Sequence, residues 1–402
     1  MSRAFICDGI RTPFGRYGGA LSSIRTDDLA ALPIAEILSR HTSLDRAAVD
    51  EVVLGCAIQA GEDNRNVARM ASLLAGLPPI VPGITVNRLC ASGLEAAVHA
   101  ARSIKLEAAE LMIAGGVESM SRAPLVMSKA DKAYGRTQRL EDSTLGWRFV
   151  NPKMESMYGV DSMAQTAENV AEAFSISRED QDKYACRSQL RVGAAVKNAL
   201  FDEEIFSVRA PVGKSGSEAV SQDEHPRPET TLEQLSALKP AVSEGGCVTA
   251  GNASGVNDGS AALLIASETA LGNHGLTPLA EIKHAVSTGV EPRLMGIGPV
   301  SAVNKLLQRT NLTLDDIGVL EINEAFAAQV LAVTRQLGLP DDCEHVNPNG
   351  GAIAIGHPLG ASGARLLLTA SLEMKRRGVR FGICSMCVGV GQGVAVLLKG
   401  VS

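Results

Sequence analysis

Read for hydrophobic spacing, the first 120 residues alternate short β-branched runs with stretches of helical periodicity. Phe5-Ile6-Cys7, Val49–Gly55, Gly83–Val86 and Glu110–Gly116 have the length and composition of strands. Between them, Thr26-Asp27-Asp28 caps a helix running through Ile37, and Asn64–Ala75 reads as a second. Leu94, Ala97, Val98, Ala101 and Ile104 then recur on one face of a third, with no proline before Lys105. Strands alternating with helices predict a mostly parallel sheet covered by helices. From Arg122 to Gly246 this order breaks. Met, Trp, Phe and Tyr residues are interspersed there with polar positions and a turn-rich stretch, Gln222–Thr230. The apolar content argues against a disordered linker and for a lid or binding subdomain. Regular core returns at Val248–Ile265.

The last third repeats the first. Ala91-Ser92-Gly93 matches Ala361-Ser362-Gly363 at an offset of 270, and the same offset sets Leu111–Ala114 on Phe381–Cys384, strand on strand. Val49–Leu54 and Ile317–Ile322 correspond at nearly that spacing. A unit recurring once is a duplication of βαβαβ halves rather than a solenoid. The two equivalent strand-to-helix turns then converge on one site at the strand C-terminal ends. The division this predicts is a first half at 1–121 completed by 247–270, a lid domain at 122–246, and a second half at 271–402.

Composition narrows the class. The chain has 402 residues, 45% hydrophobic and 20% charged, and a net charge of −6, which gives no basic footprint for nucleic acid. No apolar run reaches membrane-spanning length. Eight cysteines lie scattered without a disulfide-like framework, and neither end carries a targeting pattern, so a reduced cytoplasmic enzyme is expected.

Four stretches bear chemistry. In Asn87-Arg88-Leu89-Cys90-Ala91-Ser92-Gly93, Cys90 stands where a strand hands over to a helix, a place that favours a thiolate; the plainer reading is a small buried thiol. His357 sits in the glycine-dense loop Asn347–Gly363, placed to take a proton from Cys90, although lone histidines are often structural. In Cys384-Ser385-Met386-Cys387-Val388-Gly389 the Cys-x-x-Cys spacing invites a redox or zinc reading. There is no second cysteine pair for four-fold coordination, Cys384 lies inside an apolar strand, and Cys387 at the strand end reads instead as a thiol acid/base beside oxyanion-binding amides. Asn323, in Glu321–Phe326, either orients a water or carbonyl or caps the following helix. Gly251–Gly259 lacks the Gly-Lys-Ser/Thr ending of a phosphate loop.

Together, Cys90, Asn323-Glu324-Ala325-Phe326, Gly356-His357-Pro358 and Cys387-Val388-Gly389 resemble the thiolase family along essentially the whole chain. The resemblance implies a five-layered α/β/α/β/α fold of two similar halves with a loop domain, usually as a dimer or tetramer. It implies Cys90 as acylated nucleophile, His357 as its activator and Cys387 as acid/base. One oxyanion hole is then His357 with a water held by Asn323, the other the N–H groups of Cys90 and Gly389. Coenzyme A is co-substrate, with no resident cofactor and no metal. Ser254 would meet the pantetheine, Arg227 the nucleotide end, and Met163, Met295 and Phe326 the acyl chain. Ala91, Val388 and Val390 stand where glycines are usual, and Ser162 where some members have histidine.

Glu62–Met70, Gly146–Pro152, Glu224–Thr230 and Glu291–Gly296 resemble the 3-oxoadipyl-CoA branch of the family, with a broad-range 3-ketoacyl- or acetoacetyl-CoA thiolase as the alternative. A buried substrate carboxylate needs a partner. Arg148 is the candidate from sequence, unless it is a surface or subunit-contact arginine. A condensing ketosynthase would be expected to have histidine in place of Cys387, and a non-catalytic carrier would lack Cys90 or His357.

Overall fold

The computed structural model describes residues 2–213 and 216–401. The first half runs β1 (Phe5–Arg11), the short β2 (Gly15–Arg16), α1 (Thr26–Arg40), β3 (Glu51–Gly55), α2 (Val67–Leu74), β4 (Gly83–Val86), α3 (Ser92–Lys105) and β5 (Leu111–Ser119). An insertion follows: the hairpin β6 (Leu125–Met127) and β7 (Leu140–Asp142), then helices α4 (Pro152–Tyr158), α5 (Met163–Ala173) and α6 (Arg178–Lys197). It ends with the hairpin β8 (Val208–Val212) and β9 (Gly216–Val220) and with α7 (Leu232–Ser236). The chain rejoins the core at β10 (Asn257–Ala266) and α8 (Glu268–His274). The second half is β11 (Ala280–Gly289), α9 (Gly298–Thr310), β12 (Val319–Ile322), α10 (Ala327–Gln336), α11 (Ala352–Ile355), α12 (Leu359–Arg377), β13 (Phe381–Val388) and β14 (Gln392–Gly400).

The strands form two half-sheets in matching order, β4-β3-β5-β10-β1 and β12-β13-β14-β11. They join only where Phe5 and Ile6 of β1 pair with Glu281 and Ala280 of β11. The expectation of a mostly parallel sheet is corrected here. Among the strands of the described residues, β3–β4, β3–β5 and β12–β13 pair in parallel, and the strand pairings of β1, β10, β11 and β14 are antiparallel. The reason is connectivity. A parallel pair needs a crossover, but β13 turns straight back into β14 through Gly389–Gly391. In the first half the equivalent step, β5 to β10, is where the long insertion departs.

Side-chain alternation then builds five layers. Met112 and Ala114 of β5 face a central core with α3, α12 and the inner face of the other half-sheet, including Met386, Val394 and Val396. Leu111, Ile113 and Val117 of the same strand face α1 and α2 instead. Ile383, Ala395 and Leu397 face α9 and α10. Helix, sheet, paired α3 and α12, sheet, helix is the α/β/α/β/α order. The middle helices are covered from both sides, which is why α12 is apolar nearly all round and buried from Gly360 to Met374.

One helix begins later than its pattern predicts. Asn66 adopts φ 67 and accepts the Arg69 N–H at 3.3 Å, so α2 starts at Val67 rather than Asn64. The insertion is tied to the core by buried polar contacts. Arg11, fully buried at the end of β1, donates to Glu204 at 2.9 Å and to both oxygens of Asp223 at 2.7 and 2.9 Å. Glu324 accepts from Tyr184 and Ser188 of α6 at 3.0 and 2.7 Å.

The starts of α3 and α12 meet backbone to backbone. A Cβ at Gly93 would collide with the Gly360 carbonyl, one at Gly363 with the Leu94 amide, and one at Gly360 with the Val117 carbonyl. These are backbone atoms, which cannot step aside. Gly93→Ala is therefore expected to destabilise by about 1–3 kcal/mol or more. Gly272→Ala, inside α8 with open space around it, should stabilise by roughly 0.5–1 kcal/mol. Thermal unfolding of the two variants checks the contrast, and equal shifts would disprove it.

Candidate active site

The turn before α3 is built by two side chains. Asn87 Oδ1 accepts the Leu89 N–H at 2.9 Å, while Ser92 Oγ accepts from Arg88 N at 2.9 Å and donates to Leu89 O at 2.7 Å. Leu89 is thereby held at φ 46, a left-handed conformation unusual for so large a residue. Cys90 follows, 8% exposed. The expected depression of its pKa is not found: burial pushes the thiol up to about 11, opposed by the Gly389 N–H against its sulfur. The helix end gives little help because the Ala91 and Ser92 amides already bond the Arg88 and Leu89 carbonyls. Glu118, a buried carboxyl nearby, raises the thiol further.

His357 precedes α12 in the equivalent turn. Its amide donates to Asn257 Oδ1 at 2.9 Å, and Gly356, at φ 104, leaves room for that side chain. Its Nδ1 lies 2.6 Å from Ser362 Oγ, whose own proton goes to Pro358 O at 2.9 Å. Ser362 has one proton, so it accepts from His357, and the hydrogen of the neutral ring sits on Nδ1. Nε2 keeps its lone pair, 3.3 Å from Asn323 Nδ2. Burial first, and Arg365 second, lower the imidazole pKa to about 3. Asn323 does not cap α10; Phe326 stands at that helix start without a side-chain cap. The Asn323 Oδ1 is buried with no partner among the described residues.

Cys387 ends β13 with its thiol fully buried, held well above the usual range by burial and then by neighbouring Cys90. Met295 and Ala325 pack on it, with Met163 and Phe326 against the same cluster. Ser254 reaches this edge too, its amide donating to Ala325 O at 2.9 Å. Arg227 is exposed and lies in a separate cleft of about 280 Å³, with Gln189, His225 and Gly251. Ser162 caps α5, accepting from Gln165 N at 3.2 Å. Arg148 is half-buried away from any carboxylate, donating to Ile58 O at 3.1 Å and Ser143 O at 3.5 Å. Two thiols, a neutral imidazole with an unprotonated Nε2 and the Gly389 amide thus gather where α3, α12 and the β13–β14 turn meet.

The sequence profile of the thiolase N-terminal domain matches residues 4–269, and that of the thiolase C-terminal domain matches residues 276–400. The chain belongs to the thiolase family. It is 60% identical over 399 residues to the 3-oxoadipyl-CoA/3-oxo-5,6-dehydrosuberyl-CoA thiolase of Escherichia coli K12, covering 99% of this chain and all of that one. It is 58% identical, with the same coverage, to a beta-ketoadipyl-CoA thiolase of Acinetobacter baylyi. The human mitochondrial 3-ketoacyl-CoA thiolase in complex with CoA superposes with a TM-score of 0.91 at 40% identity, covering 100% of this chain and 98% of the other. The protein is therefore an acyltransferase of thiolase type.

Three residues that hold this thiolase's site together were not picked out from sequence, and a fourth, Glu324, was named there only within its motif. Ser362 fixes the His357 tautomer, and Asn257 holds the His357 amide. Glu118 accepts the Ala57, Ile58 and Gly360 amides at 2.9 to 3.0 Å, which binds the start of α12 to the first half-sheet. Glu324 joins α6 to Asn347 and Ile353. One signal was present for Ser362: the repeat aligns it with Ser92, which secures the Cys90 turn. The redox reading of Cys384 and Cys387 has a geometric obstacle. Three residues apart on a strand, they face opposite sides of β13, and both are free.

A thiol titrating near 11 is mostly protonated at neutral pH. Inactivation by iodoacetamide should then rise about tenfold per pH unit between pH 7 and 10; a plateau near neutrality would show a standing thiolate. Ser362→Ala should lower kcat roughly ten- to a hundredfold with a smaller effect on KM, because the buried Nδ1–H loses its acceptor. Steady-state kinetics beside circular dichroism separates this from unfolding.

Proposed function

We propose that this thiolase cleaves 3-oxoadipyl-CoA with CoA to succinyl-CoA and acetyl-CoA through an acyl-Cys90 intermediate. The observation that carries the chemistry is the pairing of Cys90 and Cys387 beside a histidine whose Nε2 is free to accept a proton. His357 Nε2 takes the thiol proton as Cys90 sulfur attacks the 3-oxo carbon. The Cys90 and Gly389 amides stabilise the resulting oxyanion. The bond between carbons 2 and 3 then breaks, and the electron pair becomes the acetyl-CoA enolate, held by His357 and a water on Asn323. Cys387 protonates carbon 2, and its raised pKa suits an acid that keeps its proton until a carbanion forms. In the second half, the thiol proton of CoA passes to Cys387 while the CoA sulfur attacks the acyl-Cys90. Cys90 leaves and recovers its proton from His357.

The substrate rests on the curated relatives, whose named substrates are dicarboxylic; Met163, Met295 and Phe326, which pack around Cys387, are assigned to the acyl chain. Ser254 and Arg227 are assigned to the pantetheine and nucleotide parts of CoA. The lid is assigned to 122–246, between halves at 1–121 with 247–270 and at 271–402. No helix among the described residues is long and apolar enough to cross a membrane. We place the protein in the cytoplasm, in line with eight unpaired cysteines. A homodimer or homotetramer is supported by the unpaired edge of β4, beside exposed Leu74, Ile80 and Ile84, and by Leu125, Met127 and Leu140 exposed on the β6–β7 hairpin.

The deciding measurement is kcat/KM for CoA-dependent cleavage of 3-oxoadipyl-CoA beside 3-oxohexanoyl-CoA and acetoacetyl-CoA, with Cys90→Ser as control. A preference of about tenfold or more for the dicarboxylic substrate, about 1.4 kcal/mol, is expected. Equal rates would leave a broad-range 3-ketoacyl-CoA thiolase, and activity surviving in Cys90→Ser would overturn the mechanism.

A further inference from the structure

Beyond the apolar wall around Cys387 lies a small cleft shared by the lid and the second half. Met163 belongs to both, and Trp147, Asp161, Pro292, Arg293 and Val390 complete its lining. Two contacts tie this cleft to the reacting centre. Val390 directly follows Gly389, and Met163 Sδ lies 3.9 Å from the place a Gly389 Cβ would occupy. Val390 is also held at φ 61, a conformation that disfavours a β-branched residue and that persists only where the surroundings enforce it.

Arg293 is the cation of this cleft, and its setting is specific. Its Nε–H donates to Asp161 Oδ2 at 2.8 Å. Asn169 Nδ2 donates to the same carboxylate oxygen at 2.8 Å and to the Arg293 carbonyl at 3.1 Å, closing a ring around the residue. The side chain passes over Gly159, its Cδ and Nε 3.6 and 3.7 Å from where a Cβ would stand. One edge of the guanidinium is therefore fixed. The opposite edge, carrying the two terminal nitrogens, has no partner among the described residues, and the side chain is 56% exposed. Arg148 differs: both its terminal nitrogens point at backbone carbonyls, those of Ser143 and Ile58.

We propose that Arg293 is the specificity residue that binds the distal carboxylate of the acyl chain, with its free edge forming a two-pronged pair. This rests on the reading that the substrate is a dicarboxylic 3-oxoacyl-CoA. In the succinyl group left on Cys90, the carboxylate stands two methylenes beyond the reacting carbonyl. Met163, Met295 and Phe326 line the path of the methylenes, and an apolar wall cannot hold a carboxylate without a partner. A guanidinium already oriented by Asp161 offers two parallel N–H donors with little further ordering, which a lysine ammonium cannot reproduce.

The test is the ratio of kcat/KM for 3-oxoadipyl-CoA to that for 3-oxohexanoyl-CoA, which has a methyl group at the chain end. The ratio does not depend on how much of a variant preparation is folded. Arg293→Met is expected to lower it at least tenfold, and Arg293→Lys to leave it intermediate. A ratio unchanged in Arg293→Met, while the unaltered enzyme keeps its dicarboxylic preference, overturns the assignment and leaves the proposed substrate standing. The same holds if the ratio collapses in Arg148→Met and not in Arg293→Met. An unaltered enzyme that shows no preference instead removes the proposed substrate itself, and the assignment with it.

Discussion

The starts of α3 and α12 meet backbone to backbone, and the geometry of the candidate site depends on that contact. Each helix begins two residues after a side chain of the proposed mechanism, Cys90 in one case and His357 in the other. Neither side chain is long, so the two helix starts must approach more closely than ordinary side chains permit. Gly93, Gly360 and Gly363 remove the obstacle, Gly55 does the same where the start of α3 crosses β3, and Gly116 where the start of α12 crosses β5. Glu118 then fixes the distance by gripping the Gly360 amide together with those of Ala57 and Ile58. The cost is a carboxyl buried deeply enough that its pKa rises to about 7. The price of close approach is thus a buried acid rather than a cavity.

Burial sets the electrostatics as well. Both thiols titrate above their usual range, and the imidazole titrates far below its own, so each group rests uncharged at neutral pH. A thiolate–imidazolium pair waiting in the empty site would need stabilisation that the surroundings do not supply. The Gly389 amide is the main donor at the Cys90 sulfur, and Arg365 acts against a charged His357. In the proposed mechanism, charge separation is therefore deferred to the moment when an acyl oxygen arrives to take up hydrogen bonds. Ser362 contributes to this economy of charge by holding the single Nδ1 hydrogen, so that the ring has one proton-accepting atom on the side where it is useful.

Much of this was legible in the chain. Strand length and β-branching located Gly83–Val86 to the residue, and the glycine-dense loops located the turns at His357 and Cys387. The 270-residue offset showed two halves, and the observed half-sheets do share one strand order. What periodicity could not show was strand direction, because β10 and β14 look like any other buried strand until their connections are known. Nor could it show the Cys90 pKa. A helix start argues for a thiolate, but the Ala91 and Ser92 amides are consumed by the turn that builds the site. Arg11 illustrates the same limit: its partners lie 193 and 212 residues away, and nothing local in Arg11-Thr12-Pro13 points to them.

The duplicated halves differ most where the function needs them to differ. In the second half, the strand after α12 returns through three residues, Gly389–Gly391, and that tight turn delivers the amide that faces Cys90. In the first half, the strand after α3 leads at the corresponding point into the whole insertion. That insertion reaches the turn of the other half at Met163, whose Sδ lies 3.9 Å from where a Gly389 Cβ would stand. One copy of the turn is thus extended into the insertion, while the other stays short and turns its Gly389 amide to the Cys90 sulfur. The Met163 contact is the place where the two meet.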